Sequence, residues 1–282
     1  MAMDAWIAAA VFVVAYALIA LERLDRTLVA LAGGLLVIVL GVLDQGEAFA
    51  AIDLNVIFLL AGMMVIASIV ARTGFFEWLA IRSVHLSRGE PLRLLVILAA
   101  LTAFLSAFLD NVTTVVLMTP IVLSVARRLG VSPVPYLISG VMASNIGGTA
   151  TLIGDPPNLL IGSAAGLSFD DFLLELTPVV VLVFLAFLAI VRVAYRGHLE
   201  VPDHVKEAAL EATEGRAITD RSLLVRSLAV AGLTIAGFLV HSALGLEAAT
   251  IALAGATVLM LVARLDPHET LREVEWSTLF FF

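Results

Sequence analysis

The stretch Leu109-Asp-Asn-Val-Thr-Thr-Val-Val-Leu-Met-Thr-Pro120 decides the architecture. Asp110 and Asn111 are all that separates two apolar runs, 92–109 and 112–126. The outer ends of both runs are basic, with Arg88 and Arg93 on one side and Arg127 and Arg128 on the other. Lys and Arg flanking membrane segments stay in the cytoplasm, so both ends belong there. Helical arms of about 15 to 18 residues reach at most about 27 Å, which leaves the Asp-Asn tip within the membrane region. The pattern predicts a re-entrant helical hairpin over 92–128. Such a backbone is tolerated at depth only when it is buried in protein or lines a wet cavity.

The composition sets the same frame for the whole chain. Of 282 residues, 61% are hydrophobic and 14% charged, and the mean hydropathy is +1.09. Soluble domains run nearer half apolar and about a quarter charged. Both a soluble globular protein and a disordered one are excluded, and the reading is an all-α polytopic membrane protein. The net charge of −8 offers nucleic acid no electrostatic footprint. Cysteine is absent, which excludes disulfides, thiolate metal sites and cysteine nucleophiles. The first run, Trp6 to Leu21, lacks a basic leader, follows Asp4 and is succeeded at once by another span. It reads as a membrane helix and not a signal peptide.

The apolar runs fall at 5–21, 27–43, 54–71, 92–109, 112–126, 134–152, 156–165, 172–195, 222–242 and 248–264, with a last one opening at Trp276. Arg23 and Arg26 place the first turn inside, the loop 44–53 has no basic residue, and the four arginines from Arg72 to Arg93 return the chain inside. The stretch 75–86 reads as an amphipathic surface helix. The segment 134–165 is interrupted by Asn145-Ile-Gly-Gly-Thr-Ala-Thr-Leu-Ile-Gly-Asp-Pro-Pro-Asn158. Gly147, Gly148 and Gly154 weaken a helix there. Pro156 and Pro157 remove amide donors and push Asp155 out of the α region. One crossing, unwound near its middle, is expected. It exits beside Asp170, Asp171 and Glu175, and 172–195 returns to Arg192 and Arg196. A polar cytoplasmic linker, 196–221, carries Lys206, Arg216 and Arg221.

Shifted by 222 positions without gaps, residues 24–60 fall on 246–282. Leu24, Ala30, Leu31, Ala32, Gly33, Leu43, Asp44, Glu47 and Phe58 meet identical residues, Asp25 meets Glu247, and Asp53 meets Glu275. Between the copies the chain crosses an odd number of times, so the second copy is inverted. Inverted repeats with interrupted helices are a signature of secondary transporters. The expected organisation is a first repeat over 1–195, comprising scaffold helices within 5–71, the hairpin 92–128, the broken helix 134–165 and the helix 172–195. The linker 196–221 follows, and 222–282 opens an incomplete second repeat. That copy stops at the equivalent of Leu60, inside the run ending at Phe282. A natural protein of roughly 430 residues, with a second hairpin and broken helix, is therefore expected.

Asp110 and Asp155 are the carboxylates expected deepest in the bilayer, where an ionised one costs about 2.5–3.5 kcal/mol on insertion scales. Each must face a cavity, carry a proton or meet a cation. Around them lie Ser106, Asn111, Thr113, Thr114, Ser144, Asn145, Thr149, Thr151 and Asn158. The breaks also free backbone groups: half-helix C-termini can coordinate Na⁺, and N-termini face anions. Taken singly, such Ser and Thr residues bond their own helix, Gly permits packing and Pro makes kinks. An Asp with an Asn at each of two breaks favours a functional site. His85, His198, His204, His241 and His268 cluster with nothing and read as surface or interfacial, and Trp6, Trp78 and Trp276 as interface anchors. The Gly-x-Gly-Asp pattern of intramembrane aspartyl proteases fails, because Leu152 stands at its first glycine position and no span holds a Tyr-Asp pair.

At Leu109–Pro120 and Ala143–Asn158 the chain resembles the ion transporter superfamily, in the branch of arsenite-pump membrane subunits (ArsB), NhaD-type antiporters and melanosomal P-proteins, with the citrate-transporter-like domain. The similarity covers roughly residues 20–282. It implies a scaffold and a mobile transport domain working by an elevator-like motion, in a homodimer in the inner membrane. It also implies a half-site built by Ser106, Asp110, Asn111 and Thr114 of the hairpin with Asn145, Gly147, Gly148, Thr149 and Asp155 of the broken helix. A Na⁺ would sit at Ser106, Asp110, Asn111 and Gly148; Na⁺ or H⁺ would be the coupling ion, with no resident cofactor. Sodium-dicarboxylate relatives have Ser-Asn-Thr at the hairpin tip, where this chain has Asp110-Asn111-Val112. The added carboxylate repels dicarboxylates. The expected activity is ion-gradient-coupled efflux of arsenite or antimonite, with an ATPase subunit as a partner in pumps of that type. Na⁺/H⁺ antiport and organic-anion permeation are the alternatives, and a passive channel a remote one.

Overall fold

In lipid only a helix satisfies all of its own backbone hydrogen bonds within one segment, and the apolar runs fold accordingly. The computed structural model describes residues 2–197, 199, 201–211 and 217–282; His198 and Arg216 lie outside the described residues. Among the described residues the regular structure is entirely helical. In order, the helices are α1 (Ala2–Ala20), α2 (Arg26–Val39), α3 (Gln45–Ala50), α4 (Leu54–Arg72), α5 (Phe75–Ser87), α6 (Pro91–Ser106), α7 (Asn111–Leu129) and α8 (Val134–Gly148). There follow α9 (Pro156–Ala165), α10 (Phe169–Asp171), α11 (Thr177–Ala194), α12 (Asp203–Glu211), α13 (Arg221–Leu244), α14 (Ala248–Ala263), α15 (Pro267–Leu271) and α16 (Trp276–Phe281). Among the described residues five stretches are long and apolar enough to cross a bilayer: Met3–Ala20, α4, α7, Phe169–Ala194 and Arg221–His241. The protein is a polytopic helical membrane protein.

A π-helical turn, Phe172–Leu176, joins α10 to α11. Pro178 stands just beyond it and has no amide to give the α ladder, so the wider turn absorbs the lost bond.

The core has two main centres. In the first, α4 packs against α14 and α13, with Leu59, Leu60, Ile66, Phe238, Ala252 and Leu259 buried among them. Leu152, Ile153 and Leu159 of the broken segment join this centre. The second surrounds the hairpin: Leu94 and Leu95 of α6, Met118 and Leu129 of α7, Phe76 and Val84 of α5, and Tyr136 of α8. The Tyr136 hydroxyl donates to the Pro91 carbonyl at 3.0 Å, pinning α8 to the start of α6. Phe76, Ala80, Ser83, Val84 and Ser87 turn one face of α5 inward, as an amphipathic helix requires.

Helix starts recur at the spacing of the sequence repeat. Helices α2, α3 and α4 begin at Arg26, Gln45 and Leu54, and α14, α15 and α16 at Ala248, Pro267 and Trp276. Acidic residues stand at all six N-caps, Asp25, Asp44 and Asp53 against Glu247, Asp266 and Glu275. The contacts between the two sets are reciprocal. Thr27 donates its hydroxyl to the Ser277 carbonyl at 2.9 Å, and the Ala249 amide donates to the Asn55 side chain at 3.1 Å. Thr27 and Ala249 occupy equivalent positions, as do Asn55 and Ser277. Such reciprocity is what a two-fold relation produces.

Several expectations change in detail. The first hairpin arm ends at Ser106, short of 109, and α8 ends at Gly148, leaving 149–155 irregular. Helices α3 and α15 lie in stretches that carry no apolar run, because a capped helix of one or two turns needs no hydrophobic period. Part of the 196–221 segment is also helical, as α12. Lys206 of α12 bonds Glu90 at 2.9 Å and Asp203 at 3.0 Å, and these carboxylates hold its ammonium above the usual lysine range. Further on, Thr219 donates its amide to the Thr73 carbonyl and its hydroxyl to that of Arg72, both at 3.0 Å.

Candidate functional site

An aspartate stands at the start of the helix that follows each break, but only one of the two acts as a cap. Asp110 adopts extended backbone angles and caps α7, accepting the Thr113 amide at 2.9 Å. Its side chain is enclosed, at 3% exposure. Asp155 caps α9 in name only: Pro156 and Pro157 fill the first two helical positions without amides, and no capping hydrogen bond forms. Its half-buried carboxylate is therefore not consumed by the local fold.

Small residues bring the two breaks together. A Cβ at Gly147 would meet the backbone of Ala103, and one at Gly154 would meet the backbones of Gly148 and Ser106. Glycine at these points lets α8 and the broken segment lie directly on α6. The hairpin tip is then held from several sides. Ser144 and Ser106 share a hydrogen bond of 2.9 Å, and the Ser144 hydroxyl lies 3.2 Å from the Asn111 carbonyl. Asn111 donates its side-chain amide to the Asn145 side-chain oxygen at 3.3 Å. Thr151 donates to the Ala107 carbonyl. Asn158 closes the break by donating to the carbonyls of Gly148 at 3.1 Å and Thr151 at 2.8 Å.

The predicted residues thus divide by what they touch. Asn111, Ser106, Ser144 and Asn145 meet across the hairpin and the broken segment, with Gly147 and Gly148 allowing the approach, while Asp110 caps α7 at the same tip. Thr151 and Asn158 bind backbone and brace the unwound stretch. Thr149 bonds the Asn145 carbonyl of its own helix, as an isolated threonine does. Thr113 serves the α7 cap through its amide. Thr114 is different: its hydroxyl is enclosed, at 1% exposure, and is the buried side-chain polar atom without a hydrogen-bond partner among the described residues. Buried hydroxyls are normally satisfied, so this oxygen is available to a guest. Sequence reading missed Thr177, which donates to the Ala150 carbonyl at 2.8 Å. The signal was slight, a threonine before the proline that opens an apolar run.

The electrostatics are one-sided. The break that carries Asp155 is seated on the hairpin that carries Asp110, with Gly154 packed on the backbone of Ser106. The ion pairs among the described residues lie elsewhere, at Arg72–Glu273 and around Lys206. Two carboxylates, hydroxyls, amide oxygens and freed backbone form an acidic, oxygen-rich half-site. Its donor set suits a small hard cation, a proton or a neutral polyhydroxy solute. A free polyanion finds no counter-charge there.

A helical membrane protein with two interrupted segments interlocked in this way belongs among the transporters. The chain is a member of the citrate transporter family (CitMHS), which it matches over residues 16–282. It is 44% identical over 280 residues to an uncharacterized transporter of Mycobacterium tuberculosis, covering 98% of this chain and 65% of that protein. It is 42% identical over 281 residues to the 46 kDa membrane protein of Mycobacterium leprae, again 98% and 65% of the two chains. The P protein of Homo sapiens is 38% identical over 199 residues, 67% of this chain and 24% of that protein. The chain thus spans 65% of the length of the mycobacterial relatives.

Proposed function

We propose that the chain carries the first half-site of an ion-coupled secondary transporter of the cell's inner membrane, built on an inverted repeat and working as a homodimer. The observation that carries this reading is the junction of the two breaks, with Asp110 enclosed, Gly154 beside Asp155 seated on the backbone of Ser106, and no ion pair to either carboxylate among the described residues. Transporters built on inverted repeats bind substrate and coupling ion at interrupted helices, and both breaks here belong to the first copy. Na⁺ or H⁺ is the coupling ion, held by Asp110 with the Ser106, Asn111 and Thr114 oxygens and the Gly148 carbonyl. The leading substrate class is the neutral hydroxides of arsenite and antimonite type, moved outward. With no cysteine in the chain, hydrogen bonds from groups such as Asn111 and Asn145 would hold them. Na⁺/H⁺ exchange is a second reading, favoured by the same carboxylate pair; uptake of a free dicarboxylate is disfavoured by it.

The test is flux in proteoliposomes containing the full-length protein under imposed Na⁺ and pH gradients, with arsenite, antimonite, Na⁺ and Li⁺ offered in turn. Uphill movement of one of them is expected, and movement that only dissipates gradients would mean a channel. Asp110→Asn keeps a good helix cap but removes the charge. The protein should reach the membrane with its ion dependence abolished. Undiminished, still pH-coupled flux in this variant would overturn the assignment.

A further inference from the structure

A pocket of about 260 Å³ lies between α4, α7 and the segment joining α15 to α16. Ser68 and Arg72 of α4, Thr113 and Val116 of α7, and Glu273 and Glu275 line it. Its inner end is Met64, halfway along α4, and Arg72 is the last residue of that helix. Eight helical residues span about 12 Å, so the pocket runs from the middle of α4 to its basic end. Thr113 brings the inner end beside the cap of the hairpin tip, since its amide bonds Asp110, which is itself enclosed behind the lining. On the other side of Met64 a stretch of core intervenes before a second pocket of about 310 Å³, lined by Val56, Leu59, Leu152 and Leu159. Leu59, Leu60 and Met63 of α4 pack with Leu152, Ile153 and Leu159 in the buried core.

An ion pair stands at the mouth. Arg72 contacts Glu273 through Nη2 at 2.9 Å, and its Nε lies 3.0 and 3.1 Å from the two carboxylate oxygens. The pair joins the end of α4 in the first copy to the loop before α16 in the second. It has no counterpart in the first copy, where the position equivalent to Glu273 is Ala51. The repeat geometry alone therefore does not explain it. Both partners are partly exposed, and such pairs are weak enough to open and close. With Glu275 beside it, the mouth carries two acids to one base.

We infer that this pocket is the cytoplasmic access route by which a small cation reaches the hairpin tip, and that Arg72–Glu273 is its latch. The inference deepens the transporter reading and rests on it. Cations are drawn to the acidic mouth, pass Ser68 and Thr113, and arrive beside Asp110.

These 282 residues hold no cysteine, and any cysteine in the remainder of the full-length protein is first replaced by serine to clear the background for thiol labelling. Ser68→Cys and Val116→Cys are made separately in the full-length protein, with Leu182→Cys on the exposed flank of α11 as a control. Inside-out and right-side-out vesicles are treated with a cationic trimethylammonium-ethyl or an anionic sulfonate-ethyl methanethiosulfonate. Ser68→Cys and Val116→Cys should react from the cytoplasmic face, about tenfold faster with the cationic reagent, and Leu182→Cys should not react. Glu275→Gln should reduce the cationic preference, and Glu273→Gln should also speed labelling by freeing Arg72. Inert thiols at both positions, reaction only from the outer face, or equal rates for both reagents would overturn the route. Labelling as expected in vesicles that concentrate no ion would defeat the transporter reading and leave the aqueous passage standing. Concentrative transport with both thiols inert would defeat the passage alone.

Discussion

Replacing Gly147 by alanine probes the contact that assembles the half-site. The added Cβ would lie 2.5 Å from Ala103 Cα and 2.6 Å from its carbonyl carbon, and nearer still to the oxygen. Non-bonded carbons rest at about 3.5–4.0 Å, so α8 must withdraw from α6 by about 1 Å. Ala103 is backbone-rigid within α6, so no flexible side chain can give way. Withdrawal would stretch Ser144–Ser106, now 2.9 Å, and Asn111–Asn145, now 3.3 Å, beyond hydrogen-bond range. Overpacking of this kind costs about 1–3 kcal/mol. Gly140, two turns earlier on nearly the same face of the helix, is the internal control: a Cβ there meets nothing within 4 Å. Gly140→Ala should instead stabilise by roughly 1 kcal/mol through helix propensity alone. Thermal melting in detergent should therefore move in opposite directions for the two alanines, with ion-dependent transport lost only at Gly147. A Gly147→Ala protein as stable as wild type, with unaltered transport, would refute the close α6–α8 approach and the half-site built on it.

Other expectations follow from individual bonds. Asn158→Leu leaves the Gly148 and Thr151 carbonyls without their buried donor, at about 1–3 kcal/mol; an unchanged melting midpoint would show that the bracing is dispensable. Asn55→Ala removes the partner of both Glu247 and the Ala249 amide and should cost about 0.5–1.5 kcal/mol, read in the same melt, with Thr27→Val at the reciprocal contact lowering stability less because it loses one bond. The Lys206 tether belongs to a group whose folded-state pKa is raised by Glu90 and Asp203. Its contribution is fully present below the ordinary lysine value of 10.5 and is lost as pH climbs through the raised value. Proteinase K cleavage between residues 203 and 211 should be indifferent to pH near neutrality and rise only in strong alkali; a rise around neutral pH would show that another group controls the docking of α12.

Much of the site was legible because its elements are local. Asp110-Asn111 between two apolar runs, and the glycines and prolines of 147–157, break helices wherever they occur, and the structure ends α6 at Ser106 and α8 at Gly148 beside them. The acidic residues that align under the 222-residue shift are legible for the same reason, since each starts a helix. Roles were harder to read than positions. Thr149 looks like Thr114 in sequence, yet one bonds its own helix and the other has no partner. Thr177 and the Arg72–Glu273 pair gave almost no signal, because their partners stand 27 and 201 positions away.

From the amino-acid order alone came the membrane environment, the two breaks, the repeat and the small residues that permit close packing. These depend on hydropathy, missing amides and backbone freedom, which each segment carries with it. Only the tertiary structure decided that the breaks interlock, that Asp110 is enclosed while Asp155 stays partly open, and that a pocket borders each half of α4. Those outcomes depend on how distant helices seat against each other, Gly147 on Ala103 and Gly154 on Ser106, and no single segment contains that distance.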